Sequence, residues 1–259
     1  MRFRFLISAF MSFSLTLFFF IHAPEQASAI FASEARAEID FDAAARQVID
    51  LTNEFREKEG RRELTPNEEL SRAARYFADY MAQTDKYGHT ADGKQPAERA
   101  KEFGYKYCIV AENIAWESKT SGFTTEELAQ SLFNGWKNSP EHRANMLDPD
   151  VYDIGVAVAR SEKTGKHYGV QEFGRPRSKA ISFEIVNQTD GPVRYTVDDK
   201  SFTLPVRYTR SHRDCRTPKL RVRLGSDENA KKSEVLRPAD SARYIIRQDS
   251  SGTYSIEQK

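Results

Sequence analysis

Cysteine is almost missing from this chain of 259 residues: Cys108 and Cys215 are the only two. Two thiols are too few for a disulfide-scaffolded fold but enough for one bridge in an oxidising compartment. Such a bridge would staple two distant regions together; two separate small apolar side chains are the open alternative. A cysteine nucleophile is excluded on local grounds, because Cys108 between Tyr107 and Ile109 has neither a neighbouring His nor a helix start to favour a thiolate. The chain also lacks H-E-x-x-H, C-x-x-C, G-x-S-x-G and a glycine-rich phosphate loop, which removes the familiar signatures of zinc peptidases, serine hydrolases and nucleotide-binding proteins. There is no internal repeat and no nucleic-acid-binding motif, so nucleic acid is not an expected partner.

Long hydrophobic runs are absent with one exception. Arg2 and Arg4 precede an apolar or hydroxylic run from Phe5 to Ile21, followed by small-residue sites at Ala27-Ser28-Ala29 and Ala35-Arg36-Ala37. This reads as a signal peptide over residues 1–29, with cleavage as late as 37 as a variant. An uncleaved anchor is the alternative, since the run lies at the short end of the roughly 17–25 residues that span a bilayer. Cleavage leaves no membrane-spanning segment and places the chain outside the cell or in the periplasm. Net charge is only +1, but it is uneven: residues 176–259 hold 17 Lys and Arg against 11 Asp and Glu, leaving 22 against 27 before them. A basic C-terminal region could touch an anionic envelope surface, although alternating Arg, as in RVRL, also suits an exposed strand face.

What is present is an orderly change of period. Phe41, Ala44, Ala45, Val48, Leu51 and Phe55 recur at three and four, a helix. Thr65-Pro66-Asn67-Glu68 predicts a second helix with Thr65 as N-cap and Leu70, Ala73, Ala74, Phe77 and Met81 on one face. A short helix fits Pro96 to Phe103, and a fourth starts at Thr124-Thr125-Glu126-Glu127 and carries Leu128, Leu132 and Trp136. After Pro149 the period becomes two, with Ile154, Val156 and Val158, a turn at Lys163 to Lys166, then Tyr168 and Val170: a hairpin. The expectation is an α+β domain over residues 42–174, a linker at 175–179, and a β-rich region over 180–259 built from ISFEIVN, VRYTV, LRVRL and ARYIIRQ. Arg207 to Pro218 fits no element.

Three residues stand out chemically. His89 follows Gly88 just past the second helix, His142 lies in Ser139-Pro140-Glu141-His142-Arg143, and Glu112 is an acid in an apolar stretch, where it needs a partner. Imidazoles with a carboxylate form a ligand set for zinc or a similar ion, yet none of the spacings is a standard one, and on the residues alone each His satisfying a local backbone group ranks ahead of it. Gly88-His89-Thr90, Ala111-Glu112-Asn113-Ile114-Ala115, Trp136-x-x-Ser139-Pro140-x-His142-Arg143-x-Asn145-x-Leu147 and Gly155-Val156-Ala157 together resemble the CAP superfamily, the cysteine-rich secretory, antigen 5 and pathogenesis-related 1 proteins, in its bacterial branch. The resemblance implies an α-β-α sandwich whose cleft joins His89, Glu112 and His142 in a polar cluster able to hold a divalent cation, Zn or Mg. Animal and plant members carry a further Glu where this chain has Ser139, a neutral side chain and a poor carboxylate substitute. Glu141 is the nearby alternative, although adjacent residues at a helix start point about 100° apart. Arg143 and Asn145 are expected to hold the loop in place.

Three functions follow from such a cleft. A binding module would hold a small molecule, lipid, sterol or envelope component. A hydrolase would act on peptide or envelope substrates through a metal-activated water with Glu112 as base. A scaffold would use only the basic C-terminal region. The missing nucleophile and missing third strong ligand put binding first.

Overall fold

The structure, a computed structural model, describes residues 38–224 and 232–259; the expected signal segment lies outside them. The first part runs α1 (Phe41–Lys58), β1 (Thr65–Pro66), α2 (Glu68–Thr84), α3 (Pro96–Glu102), β2 (Tyr107–Glu117), α4 (Thr125–Asn138), α5 (Pro140–Met146), β3 (Asp153–Arg160) and β4 (His167–Pro176). The strands form one sheet in the order β1-β3-β4-β2, with β4 antiparallel to both neighbours.

Helices cover both faces of this sheet. On one side α1 and α4 bury Val48, Phe55, Leu128, Leu132 and Trp136 against Ile154, Val156, Val158 and Phe173. On the other, α2 buries Phe77, Ala78 and Met81 against Ala157, Ile114 and Val170. Gly155 makes the second contact possible: a Cβ there would collide with the backbone of Leu70 and Ser71, so α2 lies directly on β3. The capping box at Thr124 and Glu127 forms as the sequence indicates, and so does the β3–β4 hairpin.

The start of α2 differs from expectation. Asn67, not Thr65, is the N-cap and accepts from the Leu70 amide at 2.9 Å. Thr65 and Pro66 are instead held as β1 beside Asp153 and Ile154, with the Thr65 amide donating to the Tyr152 carbonyl. Sheet pairing therefore takes the residues that the capping pattern would have used.

The C-terminal part contains β5 (Ile181–Gln188), β6 (Val193–Val197), β7 (Lys200–Leu204), β8 (Thr209–Asp214), β9 (Leu220–Leu224), β10 (Lys232–Leu236), β11 (Ala242–Gln248) and β12 (Tyr254–Gln258). They make two sheets, β10-β9-β6-β7 and β12-β11-β5-β8, which share a core of Phe183, Ile185, Tyr195, Val222, Tyr244 and Ile246. All four runs read as strands from their composition are strands.

Residues 175–179, read from composition as a linker, are an ordered corner. Arg175 is buried in the end of β4, pairs with Asp150 at 3.1 Å and donates to the Lys179 carbonyl, and a 3-10 turn covers Arg177–Lys179. The stretch that no sequence pattern placed, Arg207 to Pro218, holds β8 and then the contact with the first half. Cys215 is disulfide-bonded to Cys108 with a Cα separation of 5.3 Å, and Arg216 pairs with Asp148 at 2.8 Å and Asp150 at 3.2 Å. Among the described residues no helix is long and apolar enough to cross a membrane.

Candidate functional site

The site forms along β2. Period-two alternation turns Glu112, Ile114 and Trp116 toward the α2 and α3 side, and Asn113 toward the other. Asn113 donates to the carbonyls of His142 and of the Gln171 side chain, and accepts from Asn145, whose amide also reaches the Glu112 carbonyl. This anchors α5 against β2. Arg143 pairs with Glu59 at 2.9 Å and lies over the Phe55 ring, fixing the other side of the same short helix. Ser139 takes the N-cap position of α5 with Pro140 at the first turn, but its hydroxyl makes no capping bond.

Glu112 finds its partners in an arginine and an imidazole. Its Oε2 accepts from Arg99 at 2.6 Å, and its Oε1 lies 2.7 Å from His89 Nδ1. Arg99 itself has no solvent exposure. It also donates to Asp92 at 2.9 Å and to the carbonyls of Lys94 and His89, with its guanidinium 3.5 Å over the Phe77 ring. One buried cation thus ties together two buried carboxylates and the loop that carries His89. Behind Glu112 stands Glu172, its cross-strand partner, fully buried and receiving no hydrogen bond from an N–H or hydroxyl donor. Burial pushes the Glu172 carboxyl above the ordinary carboxylate range, and the neighbouring Glu112 charge and a hydrogen bond shared with Glu112 add to the effect.

The two imidazoles of the cleft titrate in opposite directions. The Glu112 hydrogen bond raises His89, whereas partial burial, followed by the charge of His89, lowers His142. The Glu141 carboxylate acts on both rings, so the three side chains lie within electrostatic reach of one another. The structure joins His89 to Glu112 directly, holds His142 on α5 through its carbonyl bond from Asn113, and leaves Ser139 at the helix start. The other two described histidines serve packing: His167 is buried beside the rings of Phe41 and Phe123, and His212 stacks on Phe183 and bonds Tyr195.

As a metal site the donor set is narrower than the sequence suggests. Both Glu112 oxygens are already engaged, so this residue is placed to orient His89 from behind. Two imidazoles remain, through Nε2 of His89 and a ring nitrogen of His142. No group of three or more His, Cys, Asp or Glu suited to an ion is gathered among the described residues.

Sequence reasoning missed Arg99, Asp92 and Glu172. Signals existed for two of them. Arg99 lies one position before Ala100 and four before Phe103 on a short helix, among its inward positions. Glu172 continues the alternation of Tyr168 and Val170, which makes it a core position occupied by an acid.

Residues 49–173, just under half of the chain, match the CAP family, the cysteine-rich secretory protein family, so this region is CAP-like. An uncharacterized protein of Bacillus subtilis, YkwD, is 34% identical over 117 residues, which is 45% of this chain and only 42% of the Bacillus protein. Among solved structures, an outer surface protein of Borrelia burgdorferi aligns over 55% of this chain and 99% of its own, at 20% identity and a TM-score of 0.47. An extracellular SCP-domain protein of Bacillus anthracis aligns over 52% of this chain and 41% of its own, at 22% identity and a TM-score of 0.44.

Proposed function

We propose that this is an exported binding protein whose CAP domain takes a small organic ligand, a lipid, sterol or envelope component, into the cleft between His89 and His142, with a divalent cation such as Zn or Mg held by the two imidazoles. The observation that carries the reading is the commitment of Glu112. Its two oxygens are held by Arg99 and His89, which engages the acid that would serve a hydrolase as base, while the His89 side chain is half exposed and His142 partly so. A polar cluster with a rigid back wall and a half-exposed imidazole suits capture of a ligand. A hydrolase acting on peptide or envelope substrates is accordingly the second reading.

The test is calorimetric titration of the mature protein with zinc at pH 7.5 and pH 5.5, beside the double variant His89→Ala, His142→Ala. The expected result is binding in the parent that weakens at the lower pH, where free imidazoles protonate, and is lost in the variant. Equal affinity in both proteins ends the cation half of the proposal and leaves the cleft as an organic pocket.

A third reading, attachment to an anionic envelope surface, is favoured by one face of the C-terminal sandwich. Arg194, Arg221 and Arg223 are exposed on the outer side of the β10-β9-β6-β7 sheet, with Thr196, Ser201 and Thr203 between and beside them. Salt-sensitive sedimentation with phosphatidylglycerol vesicles tests it; unchanged binding in Arg221→Ser, Arg223→Ser removes it.

A further inference from the structure

We infer that Trp116, Tyr87 and His89 form a row of ring subsites for an uncharged linear saccharide, laid along β2; this rests on the cleft reading above and names its ligand class. The row is built by the chain that follows α2. That segment runs beside β2 so that His89 meets Glu112 and the Tyr87 hydroxyl donates to the Ile114 carbonyl at 3.1 Å. The next outward position on the strand is Trp116. Tyr168 is the cross-strand partner of Trp116, and its ring lies 6.5 Å from that of Tyr87, which places both aromatics around one neighbour. From residue 112 to residue 116 a strand advances about 13 Å.

The rings are exposed yet fixed. Tyr87 is 49% and Trp116 43% exposed, two of only four large hydrophobic side chains left so open among the described residues. The His89 side chain is 50% exposed. Tyr87 is held by its hydroxyl, His89 by Glu112, and Trp116 by the Lys166 ammonium 4.3 Å from its ring centroid. Rings that keep a face open and are tethered at a polar point offer stacking area with little ordering cost on binding.

The charges beside the row choose the ligand class. Lys166 and Arg99 are met by the carboxylates of Glu141, Glu112 and Asp92, with Asp85 on the Tyr168 hydroxyl, so the strip offers no cationic track and disfavours an anionic ligand. A lipid tail would need a continuous apolar slot, and a nucleic acid strand would need a cationic track beside its stacking rings. Sugar rings present C–H faces to aromatics and hydroxyls to their surroundings, where the Lys166 ammonium, His89 Nε2 and the Glu141 carboxylate can bond them.

The experiment uses the mature protein and intrinsic fluorescence. Of the two tryptophans, Trp136 is fully buried, so acrylamide quenching reports on Trp116. Linear oligomers of glucose and of N-acetylglucosamine are the probes, with single-stranded oligonucleotide and phosphatidylglycerol vesicles as the competing arms. An oligosaccharide should protect Trp116 from quenching. By equilibrium titration, Tyr87→Ala and Trp116→Ala should each weaken binding by about tenfold, while Tyr87→Phe, which keeps the ring, should lose less. No protection by any of the oligomers, or protection only by the oligonucleotide or the vesicles, overturns the proposal. So does full saccharide affinity in Tyr87→Ala, Trp116→Ala. Zinc affinity lost in His89→Ala, His142→Ala, alongside that negative result, would retain the cleft reading and sink the saccharide row alone.

Discussion

Replacing Arg99 by Met should be among the most damaging single changes in the CAP domain. The guanidinium is unexposed and makes four contacts, to Glu112 at 2.6 Å, Asp92 at 2.9 Å, and the Lys94 and His89 carbonyls at 3.0 Å each. Met can follow the path of the arginine stem across the Phe77 ring, so lost packing is small. What remains is electrostatic: the side chains of Asp92 and Glu112 are each only 1% exposed and would face each other without a cation. Breaking a buried pair from one side costs about 3–5 kcal/mol. For a protein of this size that corresponds to a fall in Tm of about 6–20 °C. Urea denaturation followed by circular dichroism measures the cost, and the double variant Arg99→Met, Glu112→Gln separates charge from packing. Removing one of the stranded charges should recover about 0.5–3 kcal/mol relative to the sum of the single changes. A cost below about 1 kcal/mol for Arg99→Met, or strict additivity in the double variant, would refute the view that this cation organises the site.

Other outcomes follow from the same geometry. Gly155→Val should destabilise by more than about 3 kcal/mol because its Cβ meets α2 backbone, which cannot rotate away; a near-neutral Tm would contradict the close approach. Cys108→Ser, Cys215→Ser opens a closure of 107 residues and should cost about 2–5 kcal/mol, read as a lower denaturation midpoint that reductant no longer shifts. Proton NMR should show His89 titrating above the ordinary imidazole value and His142 below it, with Glu112→Gln bringing His89 down. The sign for stability follows: His89 contributes fully below about pH 6.5 and loses this as pH rises through its raised value, whereas His142 contributes above that point and loses as pH falls. Glu172→Gln should stabilise the protein more at pH 8 than at pH 4, because a carboxyl with a raised pKa gives up stability as pH rises; equal effects at both pH values would show that Glu172 is ionised in the fold.

Sequence periodicity was enough for α1, α2 and α4 because each has one wet face and one buried face; the β3–β4 hairpin, covered on both faces, was legible instead from large apolar residues alternating with Gly and Ala and from its Lys-Thr-Gly-Lys turn. Periodicity fails for β2, where Ala111 and Ala115 pack on one core and Ile114 on the other, while Asn113 and Glu112 put polar groups on both sides. A strand buried twice and polar twice has no period of two to detect. His89, Glu112 and His142 were legible through family motifs, but the pairing of Glu112 was not, since its partner Arg99 is a wholly enclosed cation that composition gives no reason to place in a core. Likewise the linker-like composition of residues 175–179 concealed the Arg175–Asp150 pair, because long-range ion pairs leave no local pattern.

The disulfide also defines a load path. Tension applied through the C-terminal sandwich does not have to travel around the corner at Arg177 to reach the CAP domain: it crosses from Cys215 to Cys108 and enters β2 four residues before Glu112. Arg216, beside Cys215, braces that crossing against Asp148 and Asp150. If the sandwich is the end of the protein that is attached to a surface, any pull on it is delivered to the very strand that carries the cleft, so attachment and ligand capture share one mechanical element.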